Sequence, residues 1–158
     1  MPVNGTAAVY FRKAIWARLR GKQVVVMVGH SMDAVPFVGH GVEKTTVFVA
    51  QSEDGGNSFR YLSRVPCNSG SMSPWCERNI LGPSEPTIAQ LTDGRLMLMF
   101  RTTGTPCFIA YSTDGVTWTD PVMSPVWTVW PQLEQLSNGV LLATSGRPDI
   151  RIKLDRKS

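Results

Sequence analysis

The sequence has no apolar run long enough to cross a membrane as a helix. Such a span needs about 18 or more consecutive apolar residues, and the longest run here, VVVMVG from Val24, has the length of a single strand. Near the beginning, Arg12, Lys13, Arg18 and Arg20 interrupt any apolar stretch, so the first residues do not form a signal-peptide pattern. The sequence therefore predicts no membrane span and leaves the compartment undetermined.

Metal-binding residues are also scarce, with three cysteines and two histidines. Zinc sites use closely spaced Cys or His pairs, but His30 and His40 are ten residues apart and no CxxC occurs. Cys67 and Cys76 flank a loop rich in Ser, Gly and Pro, for which a disulfide and two free thiols are both compatible. Cys107 is predicted to be a small buried apolar residue. No metal or other cofactor is predicted.

Acidic residues are fewer than basic ones, and the formal net charge is +4. The excess lies at the two ends, because residues 23–146 hold only six basic and ten acidic side chains. A nucleic-acid surface is typically a basic stripe interleaved with aromatic residues, so the pattern predicts solvated basic ends and no nucleic-acid partner. The terminal basic residues are Arg12, Lys13, Arg18, Arg20 and Lys22, and Arg147, Arg151, Lys153, Arg156 and Lys157.

Helical periodicity is almost absent, whereas strand signals are abundant. The only helical candidate is the short basic stretch Ala14–Leu19, and residues 1–23 are predicted to be an irregular basic N-terminal segment. Several pairs of apolar runs are joined by Asp-Gly or Asn-Gly, which tolerate the positive φ of a tight hairpin turn. These turns lie at Asp93-Gly94, Asp114-Gly115 and Asn138-Gly139.

Residues 86–96 are repeated at 131–141, an offset of 45 residues. In an all-strand pattern, a period of this size is typical of the four-stranded blades of a β-propeller. Residues 86–122 fit one blade, with strands near 86–92, 95–101, 106–112 and 117–122. Residues 24–65 fit an earlier blade, and residues 130–154 begin another. The predicted fold is therefore all-β, with a partial propeller over residues 24–158 that contains about two and a half to three blades of four antiparallel strands.

Two hairpin turns, SEDGGNSF at 52–59 and STDGVTW at 112–118, share one pattern. The Asp114 carboxylate and the Ser112 hydroxyl can accept hydrogen bonds from turn amides, and Trp118 can pack beneath the turn. The pattern resembles the Asp boxes, or BNR repeats, of the sialidase (neuraminidase) superfamily. This resemblance implies a six-bladed propeller whose boxes lie on outer hairpins, away from the active site. The matching positions are Ser52, Asp54, Gly56 and Phe59, and Ser112, Asp114, Gly115 and Trp118.

The segment SEPTIAQLTDGRLMLMFRT at 84–102 resembles the part of sialidases that contributes to catalysis. The resemblance implies that Glu85 is the catalytic partner of a tyrosine nucleophile and that Arg101 binds the substrate carboxylate. A guanidinium binds a carboxylate through two parallel hydrogen bonds, and tyrosine needs a nearby base to become nucleophilic. The alternative for Glu85 is a solvated loop acid. Arg147 in SGRPDI resembles a GRPG element and is a further candidate for substrate binding, although Asp149 replaces the glycine.

Three other residues are weaker candidates. Trp127 and Trp130 can pack against a sugar ring or fill the gap between blades, and the second interpretation is favoured. Asp33 is a loose candidate for an acid/base aspartate. No arginine of this chain is assigned to the RxP motif of the sialidases, and the resemblance places the nucleophilic tyrosine after the third blade, beyond Ser158.

These observations predict a fragment of an exo-α-sialidase-like glycoside hydrolase that releases terminal sialic acid from glycans. The isolated chain is expected to be inactive, and the missing blades or another chain are expected to cover its open strand edges. A secreted or lysosomal-type parent is compatible with the sequence. The alternative is a non-catalytic Asp-box propeller that binds glycans or proteins, since such propellers carry the same boxes.

Overall fold

The computed structural model describes residues 6–33, 44–65, 82–102, 107–124, 129–146 and 151–155. Across these residues the regular structure consists of strands and no helix, so none of their elements is a helix that could span a membrane. The strands form three antiparallel sheets in which each strand pairs with the next along the chain. This all-β architecture agrees with the sequence prediction and is consistent with part of a propeller-like fold.

The first sheet contains β1 (Thr6–Leu19), β2 (Lys22–Asp33), β3 (Lys44–Ser52) and β4 (Arg60–Arg64). The second contains β5 (Ser84–Gln90), β6 (Leu96–Arg101), β7 (Phe108–Ser112) and β8 (Val122–Met123). The third contains β9 (Val129–Gln135), β10 (Leu141–Gly146) and β11 (Arg151–Asp155). The first three strands predicted over 86–122 are therefore present, whereas the fourth, predicted near 117–122, is reduced to Val122–Met123.

β1 corrects the prediction for the N-terminal segment. Residues 6–19 form a strand, so they are neither irregular nor helical at Ala14–Leu19. The strand forms because alternate side chains, including Ala17 and Leu19, are buried between the first and second sheets. Solvated basic ends are also wrong for Lys13, whose side chain is only 15% exposed and donates a hydrogen bond to the Glu134 carboxylate.

The second sheet lies between the other two and is apolar on both faces. Successive strand residues point to opposite faces, so Leu98 packs toward the first sheet and Met99 toward the third. Burying an aliphatic side chain of this size stabilises the fold by about 1.5 to 3 kcal/mol. The continuous apolar run LMLMF in β6 is therefore explained by contacts on both sides. Cys107 is also buried, as predicted.

β5 lies beside both β1 and β9. The Thr87 hydroxyl accepts a hydrogen bond from the Leu133 amide at 3.1 Å, and the Gln90 side chain exchanges two hydrogen bonds with the backbone of Arg18. The Lys13 ammonium donates to the Leu133 carbonyl. These contacts hold β1, β5 and β9 side by side, and the candidate site is formed by other residues of the same three strands.

Candidate functional site

The strands β1, β5 and β9 each break their regular pairing near this site. In β1 the extra residue is Arg12. In β5 the shift falls on Glu85 and Pro86, and in β9 it falls on Trp130 and Pro131. A bulge leaves a residue outside the ladder and redirects its side chain, and bulges are frequent next to active sites. The three irregularities therefore direct Arg12, Glu85 and Trp130 away from regular pairing.

The two oxygens of the Glu85 carboxylate join Glu85 to Arg101 and to Trp130. Glu85 Oε1 accepts a hydrogen bond from Arg101 Nη2 at 2.9 Å, and Oε2 accepts one from the Trp130 backbone amide at 2.9 Å. The Arg12 guanidinium carbon lies 4.1 Å from the centroid of the Trp130 ring, within the range of a cation–π interaction. We call Arg12, His30, Glu85, Arg101 and Trp130 the Glu85 cluster.

Backbone strain is concentrated in the same cluster. Glu85 has φ of 50° and Trp130 has φ of 60°, a left-handed conformation that costs a residue with a Cβ atom about 1 to 2 kcal/mol. The hydrogen bond between these two residues helps to hold both in this conformation. Strain of this kind is found preferentially at functional sites, and it is the first physical indication that the cluster is more than a structural ion pair.

The cluster carries more positive than negative charge. Two guanidinium groups surround one carboxylate, and the Nε atoms of Arg12 and Arg101 are buried with no hydrogen-bond partner in the described part of the chain. The Arg101 side chain is 30% exposed and the Glu85 side chain 12% exposed. A buried donor without a partner costs about 1 to 3 kcal/mol.

His30 adds a neutral group to this charged surrounding. It pairs with Tyr10 across β1 and β2, and the two rings stack with centroids 5.0 Å apart. Burial lowers the pKa of His30, the positive charge of Arg12 lowers it further, and the Glu85 carboxylate acts in the opposite direction. Its Nδ1 atom is buried without a hydrogen-bond partner among the described residues. The imidazole is therefore uncharged at neutral pH.

The structure brings two sequence candidates, Glu85 and Arg101, into direct contact, while their chemical roles remain predictions. Trp130 is 50% exposed and its ring lies against the Arg12 guanidinium, and whether it packs against a sugar or between blades stays a prediction. Asp33 is the last residue of β2, and its proposed acid/base role stays a prediction. Outside the described residues lie Trp127, Arg147, Asp149 and the Cys67–Cys76 loop.

Sequence reasoning missed Arg12 and His30. Arg12 was counted among solvated basic residues, although it stands within VYFRKAIW, a stretch rich in the β-branched and aromatic residues that favour strands. A second overlooked signal is that Glu85 and Trp130 are separated by the 45-residue repeat and that each precedes a proline. The first signal becomes readable once β1 is recognised as a strand of the first sheet.

The two Ser-Asp-Gly turns lie away from the Glu85 cluster. Ser112 pairs with Leu96, at the opposite end of β6 from Arg101. As expected, its hydroxyl accepts a hydrogen bond from the Gly115 amide at 2.8 Å, and the Asp114 carboxylate accepts from the Val116 and Thr117 amides at 2.8 and 2.9 Å. These bonds satisfy the amides of the turn, which agrees with the structural role that the sequence predicts for it.

Metal chemistry has no support in the described residues, where no group of three or more His, Cys, Asp or Glu side chains could hold an ion. The cluster is instead an arrangement of guanidinium groups, one carboxylate and aromatic rings. Such an arrangement can bind a carboxylate through paired hydrogen bonds and can pack against an apolar ring face.

No protein-family model and no curated protein matches this sequence. Among solved structures, a protein of unknown function from Dyadobacter fermentans DSM 18053 is similar, with a TM-score of 0.69 and 18% identity. The match covers 90% of this chain and 37% of that chain.

A family 117 glycoside hydrolase produced by the marine bacterium Zobellia galactanivorans is also similar, with a TM-score of 0.61 and 14% identity. Here the match covers 98% of this chain and 54% of that chain. The chain thus spans between about a third and about a half of these two structures. At such identities the likeness shows a shared fold.

Proposed function

We propose that the chain is part of a sialidase-like glycoside hydrolase, a six-bladed propeller that releases terminal sialic acid from glycans. The observation that carries this proposal is the Glu85–Arg101 contact of 2.9 Å inside a cluster with an excess of guanidinium groups. Sialic acid is an anionic sugar, and the guanidinium groups of Arg12 and Arg101 have the charge that suits its carboxylate. The resemblance of 84–102 to sialidases and the fold shared with a glycoside hydrolase support the same conclusion.

In this proposal Arg101 and Arg12 bind the carboxylate of the sugar, and Arg147 is a further candidate. Arg12 supplies the cation that the sialidase pattern would place in an RxP motif. Glu85 is the base that activates a tyrosine nucleophile, which belongs to a part of the parent protein outside these 158 residues. A tyrosine nucleophile avoids placing a second carboxylate against an anionic substrate, which is why sialidases depart from the two-carboxylate mechanism.

The proposal is tested with Arg101→Ala in the parent protein, using a fluorogenic sialoside. Loss of one preorganised donor to the substrate should lower kcat/KM by about 100- to 1,000-fold. The matched control is Arg95→Ala, because Arg95 lies near the other end of β6, where it pairs with Asp93 on the surface. Equal turnover by the Arg101 variant and wild type, with both folded, would remove Arg101 from the site.

A second candidate is a non-catalytic module that binds acidic glycans. The specific observation in its favour is that Glu85 is the one carboxylate in the Glu85 cluster and that both of its oxygens already accept hydrogen bonds. The variant Glu85→Gln in the parent protein distinguishes the hydrolase from the binding module. For a hydrolase, cleavage falls while sialoside binding persists, whereas a binding module cleaves nothing before or after the change.

A further inference from the structure

Trp130 contacts two members of the Glu85 cluster through two different groups. Its backbone amide donates a hydrogen bond to Glu85 Oε2 at 2.9 Å, and its indole ring lies 4.1 Å from the guanidinium carbon of Arg12. Glu85 belongs to β5 and Arg12 to β1, whereas Trp130 belongs to β9. One residue of the third sheet therefore touches an anion of the second sheet and a cation of the first.

The backbone conformation of Trp130 is unfavourable by itself. Its φ of 60° is left-handed, and the next residue, Pro131, restricts the backbone of the residue before it. The register shift of β9 falls on this residue, and its amide bonds across to Glu85 in the second sheet. Conformations of this kind persist where the surroundings hold them, most often at functional sites. The strain at Trp130 thus accompanies the contact with Glu85.

The two arginines of the cluster are held in different ways. Arg101 donates a hydrogen bond to Glu85 Oε1 at 2.9 Å, whereas Arg12 lies against the face of the Trp130 ring. An aromatic face attracts a guanidinium through its quadrupole and uses none of the N–H donors in a regular hydrogen bond. Arg12 can therefore be fixed in place and still use its planar set of donors for the carboxylate of a ligand.

We propose that Trp130 is a positioning residue, whose ring fixes the Arg12 guanidinium and whose amide orients the Glu85 carboxylate before an anionic sugar binds. The identity of that sugar rests on the proposed function, whereas the coupling of the two charged groups through Trp130 rests on the contacts themselves. A side chain that is already fixed loses less conformational entropy when a ligand binds. Trp130 thus contributes to affinity through Arg12 and to catalysis through Glu85.

The two contacts predict separate kinetic effects. The carboxylate of the sugar keeps its charge while the glycosidic bond is cleaved, so a group that only binds it contributes equally to the ground state and the transition state and affects KM. Orientation of the base Glu85 affects kcat instead. A side-chain substitution at Trp130 removes the ring and keeps the amide. It should therefore raise KM and leave kcat nearly unchanged.

The first test compares Trp130→Leu with Trp130→Phe in the parent protein, using a fluorogenic sialoside. Leucine is apolar and has no aromatic face, so KM should rise by about 3- to 10-fold, the usual effect of having to immobilise one long side chain on binding. Phenylalanine retains the face and should keep KM within about twofold of the wild-type value. A wild-type KM in Trp130→Leu, or equal losses in both variants, would overturn the proposal.

The matched control is Tyr111→Leu. Tyr111 also has an arginine over its ring, Arg95 at 4.9 Å, but it pairs with Met97, near the opposite end of β6 from Arg101. Loss of this ring removes a comparable cation–π contact and should leave KM unchanged. An equal rise in KM would show that the effect is not local to the Glu85 cluster and would overturn the proposal. Circular dichroism verifies that the variants fold, as expected at Trp130, which is half exposed.

Combining Trp130→Leu with Arg12→Gln tests the route of the effect. If the ring acts through Arg12, its removal from a variant that lacks the guanidinium should have little further effect on KM, so the two changes should be far from additive. Fully additive changes in KM would mean that the ring contacts the substrate directly or acts through another residue, and they would overturn the positioning role.

A measurement that needs no substrate separates this inference from the proposed function. Burial and the positive charge of Arg12 both lower the pKa of His30, so displacement of the guanidinium should raise that pKa. NMR titration of the parent protein should show the His30 pKa raised in Trp130→Leu and in Arg12→Gln, and unchanged in Tyr111→Leu. An unchanged pKa in Trp130→Leu would overturn the inference. If the wild-type protein cleaved no sialoside while the pKa rose, the proposed function would fail and the positioning role would stand.

Discussion

The turn at 52–59 and the turn at 112–118 have nearly the same hydrogen bonds and different surroundings. In each, the serine hydroxyl accepts from a glycine amide at 2.8 Å, Gly56 in one and Gly115 in the other. In each, the aspartate carboxylate accepts an amide hydrogen bond at 2.9 Å, from Ser58 or Thr117. The closing aromatic residues differ, because Trp118 is buried whereas Phe59 is partly exposed.

The difference comes from the neighbouring sheet. The second turn packs on β4 of the first sheet, where the Trp118 indole donates a hydrogen bond to the Ser63 hydroxyl at 3.0 Å and Ser63 donates to the Gly115 carbonyl at 2.6 Å. At the first turn, the hydrogen bonds of Asp54 within the described part of the chain all go to residues of the turn itself. The hydrogen-bonded turn is therefore encoded locally, while burial of its aromatic residue requires a second sheet.

The largest expected contrast is between Trp118→Ala and Phe59→Ala. Removing Trp118 leaves a cavity between two sheets and takes away the hydrogen bond to Ser63, so the free energy of unfolding should fall by about 3 to 5 kcal/mol. Phe59→Ala should cost less than half as much, because Phe59 is partly solvated already. Urea denaturation of both variants measures the difference. Equal losses would mean that the two turns are packed alike.

A smaller contrast is expected between Gly115→Ala and Gly55→Ala. Both glycines have φ of +73°, so each alanine incurs the left-handed penalty of about 1 to 2 kcal/mol. A Cβ at 115 would also lie 3.2 Å from Leu62 Cδ1, whereas a Cβ at 55 meets nothing within 4 Å. Thermal unfolding should therefore show Gly115→Ala as the more destabilising. If Gly55→Ala were the more destabilising variant, the Leu62 side chain would move aside without a loss of stability.

The smallest expected effect is on the free energy of unfolding at acidic pH. Hydrogen bonds from Ser52 and Ser58 hold the pKa of Asp54 well below its usual value. Burial acts to raise the pKa of Asp114, but bonds from Thr117 and Val116 outweigh it and leave that pKa lowered. Each carboxylate thus stabilises the fold above the unfolded-state pKa of 3.8, and this stability is lost as the pH falls toward the lower folded-state pKa.

Asp54→Asn should therefore flatten the loss of stability below about pH 4 more than Asp114→Asn does. The comparison uses unfolding free energies between about pH 2.5 and 5, with Asp120→Asn, an exposed residue, as the matched control. An Asp54 variant with the wild-type pH profile would show that its hydrogen bonds do not persist in solution.

Much of the second and third sheets is predictable, because their signals are local. Asp93-Gly94 and Asn138-Gly139 mark hairpins in which both glycines have positive φ, and LMLMF reads as a strand buried on both faces. Within the site, Glu85 and Arg101 are identified through the resemblance of residues 84–102 to a segment of sialidases. Arg12 is not found this way, because its position depends on a bulge in the pairing between β1 and β2.

The sequence by itself determined the repeat of the strands, the glycine-containing turns between them, and the serine and aspartate side chains that accept hydrogen bonds in these turns. Each of these features depends on residues within one hairpin. Only the tertiary structure decided that Thr6–Leu19 is a strand, that Arg12 and Trp130 meet beside Glu85, and that one aromatic turn residue is buried and the other is not. The physical reason is that burial and bulge position depend on contacts between sheets, and these contacts join residues far apart in the chain.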